Sequence, residues 1–212
     1  LRAEGVSEER IRFVGNVMID ALDAVRPRVE RFKAAEARGL APGDYGLVTL
    51  HRPSNVDDPD QLAEILAALD EIACDLPLLL PAHPRTRQRV QEFGIELKKV
   101  EVIEPVGYIE MQSLQSTAAL VLTDSGGIQE ETTVLGVPCL TLRRNTERPI
   151  TVECGTNVLV PVRSRAAILE AYRAVRGRRY EPVRPEGWDG AAAVRLADEL
   201  VEWLGREGVP RS

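Results

Sequence analysis

From residue 45 onward the chain repeats one unit: a short apolar run, a polar turn, and a stretch with helical periodicity. The runs fall at residues 45–50, 77–80, 100–103, 120–123, 138–142 and 157–160. The intervening patterns predict helices over 59–73, 84–93, 108–118 and 126–135, then over 165–176 and 190–204 across a stretch holding Pro182 and Pro185. Strands apolar along their whole length, alternating with helices, are what a parallel sheet covered on both faces requires. The expected fold class is therefore α/β, a Rossmann-like three-layer sandwich forming a single domain over residues 1–212. An earlier apolar stretch, 11–14, reads as a leading strand, followed by Gly15-Asn16 and a helical pattern from Met18. Pro27 is expected to break that helix, which resumes over 28–37 before Gly39 and Pro42-Gly43 close it.

Composition removes several classes of function. The net charge is −6, Lys and Arg are scattered, and aromatic residues make up 4% of the chain. A nucleic-acid binder would show a basic face or stacking aromatics, so no nucleic-acid partner is expected. No apolar run approaches the roughly 20 residues that span a bilayer, and no signal peptide opens the chain. No membrane partner is expected, and the expected location is the cytoplasm. Cys74, Cys139 and Cys154 stand far apart without a CxxC pair, which reads as reduced cysteines, Cys74 and Cys139 in apolar surroundings. The chain begins at Leu1 without an initiator Met, the expectation of a fragment.

In open α/β sheets ligands sit beyond the carboxyl ends of the strands. Four polar clusters emerge there: His51 after the first strand of the repeat, His83 after the second, Asp124 and Ser125 after the fourth, and residues 143–148 after the fifth. The segment Thr123-Asp124-Ser125-Gly126-Gly127-Ile128-Gln129-Glu130-Glu131 ends a strand, passes two glycines and starts a helix. Ser125 suits a helix N-cap, and the free N–H groups at Gly126 and Gly127 favour a phosphate. Glu131, one and a half turns further in, can reach back to sugar hydroxyls. The alternative is a tight strand-to-helix turn with a solvated acidic first turn. Arg143, Arg144 and Arg148 suit a diphosphate clamp or, equally, a solvated basic loop. His51 and His83 are the chain's two histidines; each reads as a structural residue at a strand end or as a donor to phosphate or sugar. Neither has neighbours at zinc-ligand spacing, so no metal is expected. No P-loop, GxGxxG fingerprint or GxSxG elbow is present, which leaves NTP hydrolysis, nicotinamide chemistry and serine hydrolysis without their usual signatures.

Taken in order, Gly15-Asn16 with Asp20-Ala21-Leu22, the run 49–55, His83-Pro84, Pro105-Val106-Gly107-Tyr108, the run 123–131 and Thr146-Glu147-Arg148-Pro149 resemble the non-hydrolysing UDP-N-acetylglucosamine 2-epimerases. The resemblance covers residues 11–204, the C-terminal half of that family. It implies the second of two facing Rossmann-like domains, a GT-B-like arrangement whose N-terminal domain is absent here. Ser125, Gly126 and Gly127 would hold the diphosphate, Glu131 the ribose hydroxyls and Arg148 a phosphate. Tyr108 and its segment would lie near the uracil, and His51 would take part in catalysis beside the diphosphate. The implied reaction interconverts UDP-GlcNAc and UDP-ManNAc by eliminating UDP to a 2-acetamidoglucal and adding it back, without metal or other cofactor. The implied partners are those nucleotide sugars or UDP, and the missing first domain; the family often forms homodimers. Most of the proposed proton-transferring carboxylates belong to that first domain, so this half alone is expected to be inactive. At Arg52-Pro53-Ser54-Asn55 the chain departs from the Arg-Arg-Glu-Asn of many bacterial members, in which nearby residues help bind a second, activating UDP-GlcNAc. Such activation is not implied here.

Two other readings stand beside this one: the donor-binding half of a GT-B glycosyltransferase, and a catalytically idle UDP-sugar sensor. The last expected helix adds an independent expectation. Ala193, Val194, Leu196, Ala197, Leu200, Val201 and Leu204 form a broad apolar stripe, more than this half can bury on its own.

Overall fold

The computed structural model describes residues 1–161 and 164–206. Its elements, in chain order, are α1 (Val17–Phe32), β1 (Gly46–Thr49), α2 (Pro53–Val56), α3 (Pro59–Ile72), β2 (Leu78–Pro81), α4 (Pro84–Glu92), β3 (Glu101–Ile103), α5 (Tyr108–Thr117), β4 (Leu120–Thr123), α6 (Gly126–Leu135), β5 (Cys139–Thr141), α7 (Ile150–Glu153), β6 (Asn157–Leu159), α8 (Arg165–Val175) and α9 (Ala192–Arg206). The chain forms two compact units, one from Leu1–Val25 with the segment beginning at Arg184, the other from Arg26–Val183.

The larger unit is built on one six-stranded sheet in the order β3-β2-β1-β4-β5-β6, every pairing parallel. This is the Rossmann strand order, so the expected fold class holds. Alternate strand residues serve opposite faces. Val48, Leu78, Leu80, Leu120, Leu122 and Leu140 pack with α3 and α8, including Leu62, Ile65, Leu69 and Ile168. Leu47, Leu79, Val121 and Cys139 face the other way, toward Leu114 of α5 and Ile128 of α6. Asp58 starts α3 by accepting from the amides of Asp60 and Gln61, both at 3.0 Å. At the end of α6, Gly136 adopts φ 71°, and a Cβ there would lie 2.8 Å from the Tyr180 carbonyl oxygen, so only glycine fits.

Register is what positions the site. Thr49 pairs with Thr123, and Thr123 with Thr141. The carboxyl ends of β1, β4 and β5 are thus level, and the strand order reverses between β1 and β4. Loops leaving these three strands converge at that switch point, where open α/β sheets bind ligands.

The smaller unit departs from the sequence expectation. Residues 11–14 form no strand. Their surroundings satisfy the backbone otherwise: the Val14 carbonyl accepts from Arg195 Nε at 2.8 Å, and the Asn16 amide donates to Gly187 O at 3.2 Å. Pro27 does not break α1, which runs through it; a proline forfeits one ladder bond, and the helix tolerates that loss. The resumed helix expected over 28–37 ends instead at Phe32, with a single 3-10 turn at Glu36–Arg38. Asp20 caps α9 by accepting from the amides of Ala192 (3.2 Å) and Ala193 (2.6 Å). All seven residues of the predicted stripe on α9 are exposed, with Val194 at 62%, Leu200 at 50% and Val201 at 63%, and Trp203 extends the same apolar surface.

The cysteine expectation holds in part. All three are free. Cys139 is buried in the sheet, which pushes its thiol up to about 12. Cys74 and Cys154 are exposed instead; Cys74 Sγ lies 2.9 Å from Lys99 Nζ at the surface end of α3.

Candidate functional site

The centre of the site is a carboxylate to which sequence reasoning assigned no role. Asp124 is fully buried at the end of β4. It accepts from the backbone amides of His51 (3.1 and 3.2 Å to its two oxygens) and Arg52 (2.9 Å), and from Asn55 Nδ2 (3.2 Å). His51 Nδ1 stands 2.8 Å from Asp124 Oδ1. Burial alone would raise this carboxyl's pKa, but the His51 side chain and the Arg52 and His51 amides outweigh it and hold Asp124 below the usual carboxylate range. Asp124 therefore fixes the loop after β1 and orients the His51 ring, leaving Nε2 as the outward nitrogen. Asn55 also donates to the Leu142 carbonyl at 2.9 Å, tying the loop after β1 to the end of β5.

Beside this dyad lies the start of α6. Ser125 occupies the N-cap position with extended geometry, yet its hydroxyl makes no capping bond. Its own amide donates to Thr123 Oγ1 at 3.0 Å. The first amides of α6 have no acceptor within the helix. Gly126 is not required by backbone strain or by packing: a Cβ there would meet nothing nearer than Glu147 Oε2 at 4.0 Å. Open space, unpaired amides and a free hydroxyl together form a cradle for an anion. Gly126→Ala should accordingly leave the fold intact, with stability unchanged or raised by up to about 1 kcal/mol, while a methyl group enters the cradle. Thermal unfolding with and without UDP checks both halves of that expectation.

The loop 143–148 is held over this turn. Thr146 Oγ1 donates to Gln129 Oε1 at 2.6 Å and accepts from the Arg148 amide at 2.9 Å. Arg148 Nε lies 2.8 Å from Glu130 Oε1, and Arg143 Nη2 lies 2.7 Å from Glu147 Oε1. Two of the three arginines are thus already matched with carboxylates, so the loop is neither a bare clamp nor simply solvated. Gln129 and Thr146 stand in motifs read from the sequence but were given no role of their own; a polar pair seventeen residues apart carries no local signature.

Glu131 is buried beneath Tyr108, whose hydroxyl donates to Glu131 Oε1 at 3.2 Å, while Gln115 Nε2 donates to Oε2 at 3.2 Å. Burial raises the Glu131 carboxyl despite hydrogen bonds from Gln112, Gln115 and Tyr108. The same burial, with the Glu131 charge beside it, raises the Tyr108 phenol. His83 caps α4 by accepting from the Arg85 amide at 3.2 Å, a contact that leaves its expected part in substrate binding open, and its ring centroid lies 6.2 Å from that of His51. The two histidines thus share a neighbourhood, as do Tyr108 with Glu131 and Ser125 with Gly126. No cluster of His, Cys, Asp and Glu capable of holding a metal exists among the described residues.

The sequence profile described as UDP-N-acetylglucosamine 2-epimerase matches residues 1–201. The chain belongs to this family. A UDP-N-acetylglucosamine 2-epimerase from Methanocaldococcus jannaschii is 44% identical over 170 residues, covering 76% of this chain and 46% of the relative. A UDP-2,3-diacetamido-2,3-dideoxy-D-glucuronate 2-epimerase from Pseudomonas aeruginosa is 40% identical over 206 residues, 95% of this chain and 56% of the relative. The crystal structure of the M. jannaschii epimerase in complex with UDP-GlcNAc and UDP superposes with a TM-score of 0.82 at 37% identity, over 93% of this chain and 57% of that one. The chain spans about half the length of the family members it matches. This is the family of the epimerase reading and not that of the glycosyltransferase reading. No helix among the described residues is long and apolar enough to cross a membrane.

Proposed function

We propose that the chain is the nucleotide-binding C-terminal half of an enzyme that inverts C2 of a UDP-2-acetamidohexose, with UDP-GlcNAc and UDP-ManNAc as the reference pair. The observation that carries this reading is the open turn at Ser125 and Gly126, lying between the His51–Asp124 dyad and the buried Glu131. In this reading the amides of Gly126 and Gly127 and the Ser125 hydroxyl take the diphosphate, and Arg148 adds a charge-assisted bond. Ribose hydroxyls take over the contact with Glu131 that the Tyr108 hydroxyl now makes, and the uracil lies by Tyr108. His83 supports the same pocket through its place beside His51.

The chemistry follows from which bond must break. The C1–O bond cleaves with its electron pair going to the diphosphate, and the C2 proton leaves to a base, giving a 2-acetamidoglucal and UDP. Addition of UDP to C1 and of a proton to the other face of C2 gives the epimer. His51, held through Nδ1, acts at the leaving diphosphate, where it offsets developing negative charge. No step needs a metal or other cofactor. The C2 base comes from a first, N-terminal domain of the whole enzyme, which packs on the exposed apolar face of α9. A cytoplasmic location suits a nucleotide-sugar substrate.

Isothermal titration of the chain with UDP tests the reading; absence of binding at millimolar UDP would refute it. Two variants divide the roles. Arg148→Ala should weaken UDP by about 1.5–3 kcal/mol, the range for a bond to a charged group. Unchanged affinity would leave Arg148 as the partner of Glu130 alone. Glu131→Gln should weaken UDP more than pyrophosphate, because only UDP carries the ribose; equal losses would make Glu131 a support for α5 and α6.

A further inference from the structure

We propose that Gln129 is a positioning residue that joins the Ser125 turn and Arg148 into one diphosphate clamp, so that the two halves depend on each other. This rests on the proposed UDP reading and adds the residue that assembles its site. Gln129 is fully buried, one turn into α6. Its Oε1 accepts from Thr146 Oγ1 at 2.6 Å, and its Nε2 donates to the Ser125 carbonyl at 3.0 Å. Thr146 in turn accepts from the Arg148 amide at 2.9 Å. A single chain of hydrogen bonds therefore runs from the backbone of Arg148 through Thr146 and Gln129 to the backbone of Ser125.

That chain has one direction. The Ser125 carbonyl can only accept, so it takes the amide nitrogen of Gln129 and leaves the amide oxygen for Thr146. Reversing the amide would set Oε1 against the Ser125 carbonyl oxygen. The base of the side chain is fixed as well. The Gln129 carbonyl accepts from Thr133 Oγ1 at 2.8 Å and from Asn157 Nδ2 at 3.0 Å. Asn157 begins β6 and accepts from Thr141 of β5 at 3.0 Å, so the anchor is referred to the sheet itself.

Folding alone does not call for either bond. As the N-cap, Ser125 already offers its carbonyl to the first intrahelical bond, so Nε2 adds a donor that the helix does not need. Thr146 is half-buried, and water would serve its hydroxyl nearly as well as a buried amide does. What the two bonds achieve is to hold the loop 143–148 in one place over the cradle. The guanidinium is braced from the same helix: Arg148 Nε lies 2.8 Å from Glu130 Oε1, and Nη1 donates to the Glu147 carbonyl at 3.3 Å. Nη2 is left for a phosphate oxygen. With the anchor in place the loop is ordered by folding; without it, ordering falls on the ligand and weakens binding.

The test is a double-mutant cycle read by isothermal titration with UDP. Thr146→Val keeps the shape of a half-buried loop residue and removes its hydroxyl; UDP affinity should fall about fivefold, as for one lost hydrogen bond. Thr146→Ser, which keeps the hydroxyl, should bind UDP within about twofold of the unaltered chain. Arg148→Ala should lower affinity about tenfold or more in the unaltered chain, but about threefold at most in Thr146→Val, where the arginine is no longer held. Gln129→Met, of similar volume, should shrink the Arg148→Ala effect in the same way and weaken UDP further, because the Ser125 turn is released too. Thr146→Val decides the matter even where Gln129→Met fails to fold. An Arg148→Ala loss of the same factor in both backgrounds overturns the proposal. So does a Thr146→Val chain that binds UDP as the unaltered chain does, or a Thr146→Ser chain as weak as Thr146→Val. Failure of the unaltered chain to bind millimolar UDP refutes the UDP reading instead.

Discussion

Incubated with UDP-GlcNAc in D₂O, the 212-residue chain is expected to give neither UDP-ManNAc nor deuterium at C2, and both should appear once a first domain is restored. Elimination needs a base at C2, charge stabilisation at the leaving diphosphate and a closed cleft that retains the glucal. In the proposed reading Ser125, His51 and Arg148 supply the second of these. The carboxylates of the site among the described residues are all engaged. Asp124 is spent on His51 and the loop after β1, Glu131 is buried under Tyr108 and Gln115, Glu130 is engaged by Arg148, and Glu147 by Arg143. A loss of about a thousandfold or more is expected, since cooperating catalytic groups fail as a unit. The measurement is proton NMR of the chain alone and of a fusion to the first half of the M. jannaschii relative. Turnover by the chain alone would place the whole of the chemistry within these residues.

The sheet was legible because strands buried on both faces are largely apolar, as β1, β2, β4 and β5 are along their whole length; the edge strands β3 and β6, with Glu101 and Asn157, are only partly buried and carry a weaker signal. The strand expected at residues 11–14 was not, because a four-residue apolar run says nothing about whether a neighbouring strand exists to pair with it; here Arg195 and Gly187 satisfy its flanks. Pro27 misled for a related reason. A proline removes one bond, and whether a helix survives depends on the contacts of the rest. In the site, Ser125, Gly126, His51 and Arg148 were legible from their place after strands, where the sheet's polarity collects function. What stayed hidden was the pairing among them. That Asp124 would reach His51, Thr146 reach Gln129, and Tyr108 reach Glu131 depends on the register of β1 with β4 and on loops folding over α6. Cys74 shows the same limit: apolar residues surround it in sequence, but it lies in the turn after α3, where it faces solvent.

Asp124→Asn is expected to be the most damaging single change at the site, in stability and in turnover together. The carboxylate is a fully buried acceptor for two loop amides and Asn55, and it holds the His51 ring. Asparagine keeps the shape but turns one oxygen into a donor that faces donors, so several hydrogen-bonding groups lose their partner at once. A loss of about 3 kcal/mol is expected in urea unfolding. The folded-state pKa of Asp124 lies below its unfolded value, so its contribution is fully present above the ordinary carboxylate range near pH 4 and declines as pH falls through the lowered value. The difference in stability between the parent and Asp124→Asn should therefore shrink on acidification. In the two-domain enzyme, assayed where the variant remains folded, kcat should fall by about 10²–10⁴-fold, because asparagine can leave His51 in the wrong tautomer. KM should change far less, and the pH dependence of kcat should shift. An Asp124→Asn enzyme of lowered stability but unaltered kcat and pH profile would reduce Asp124 to a tether for the loop, and His51 would then owe nothing to it.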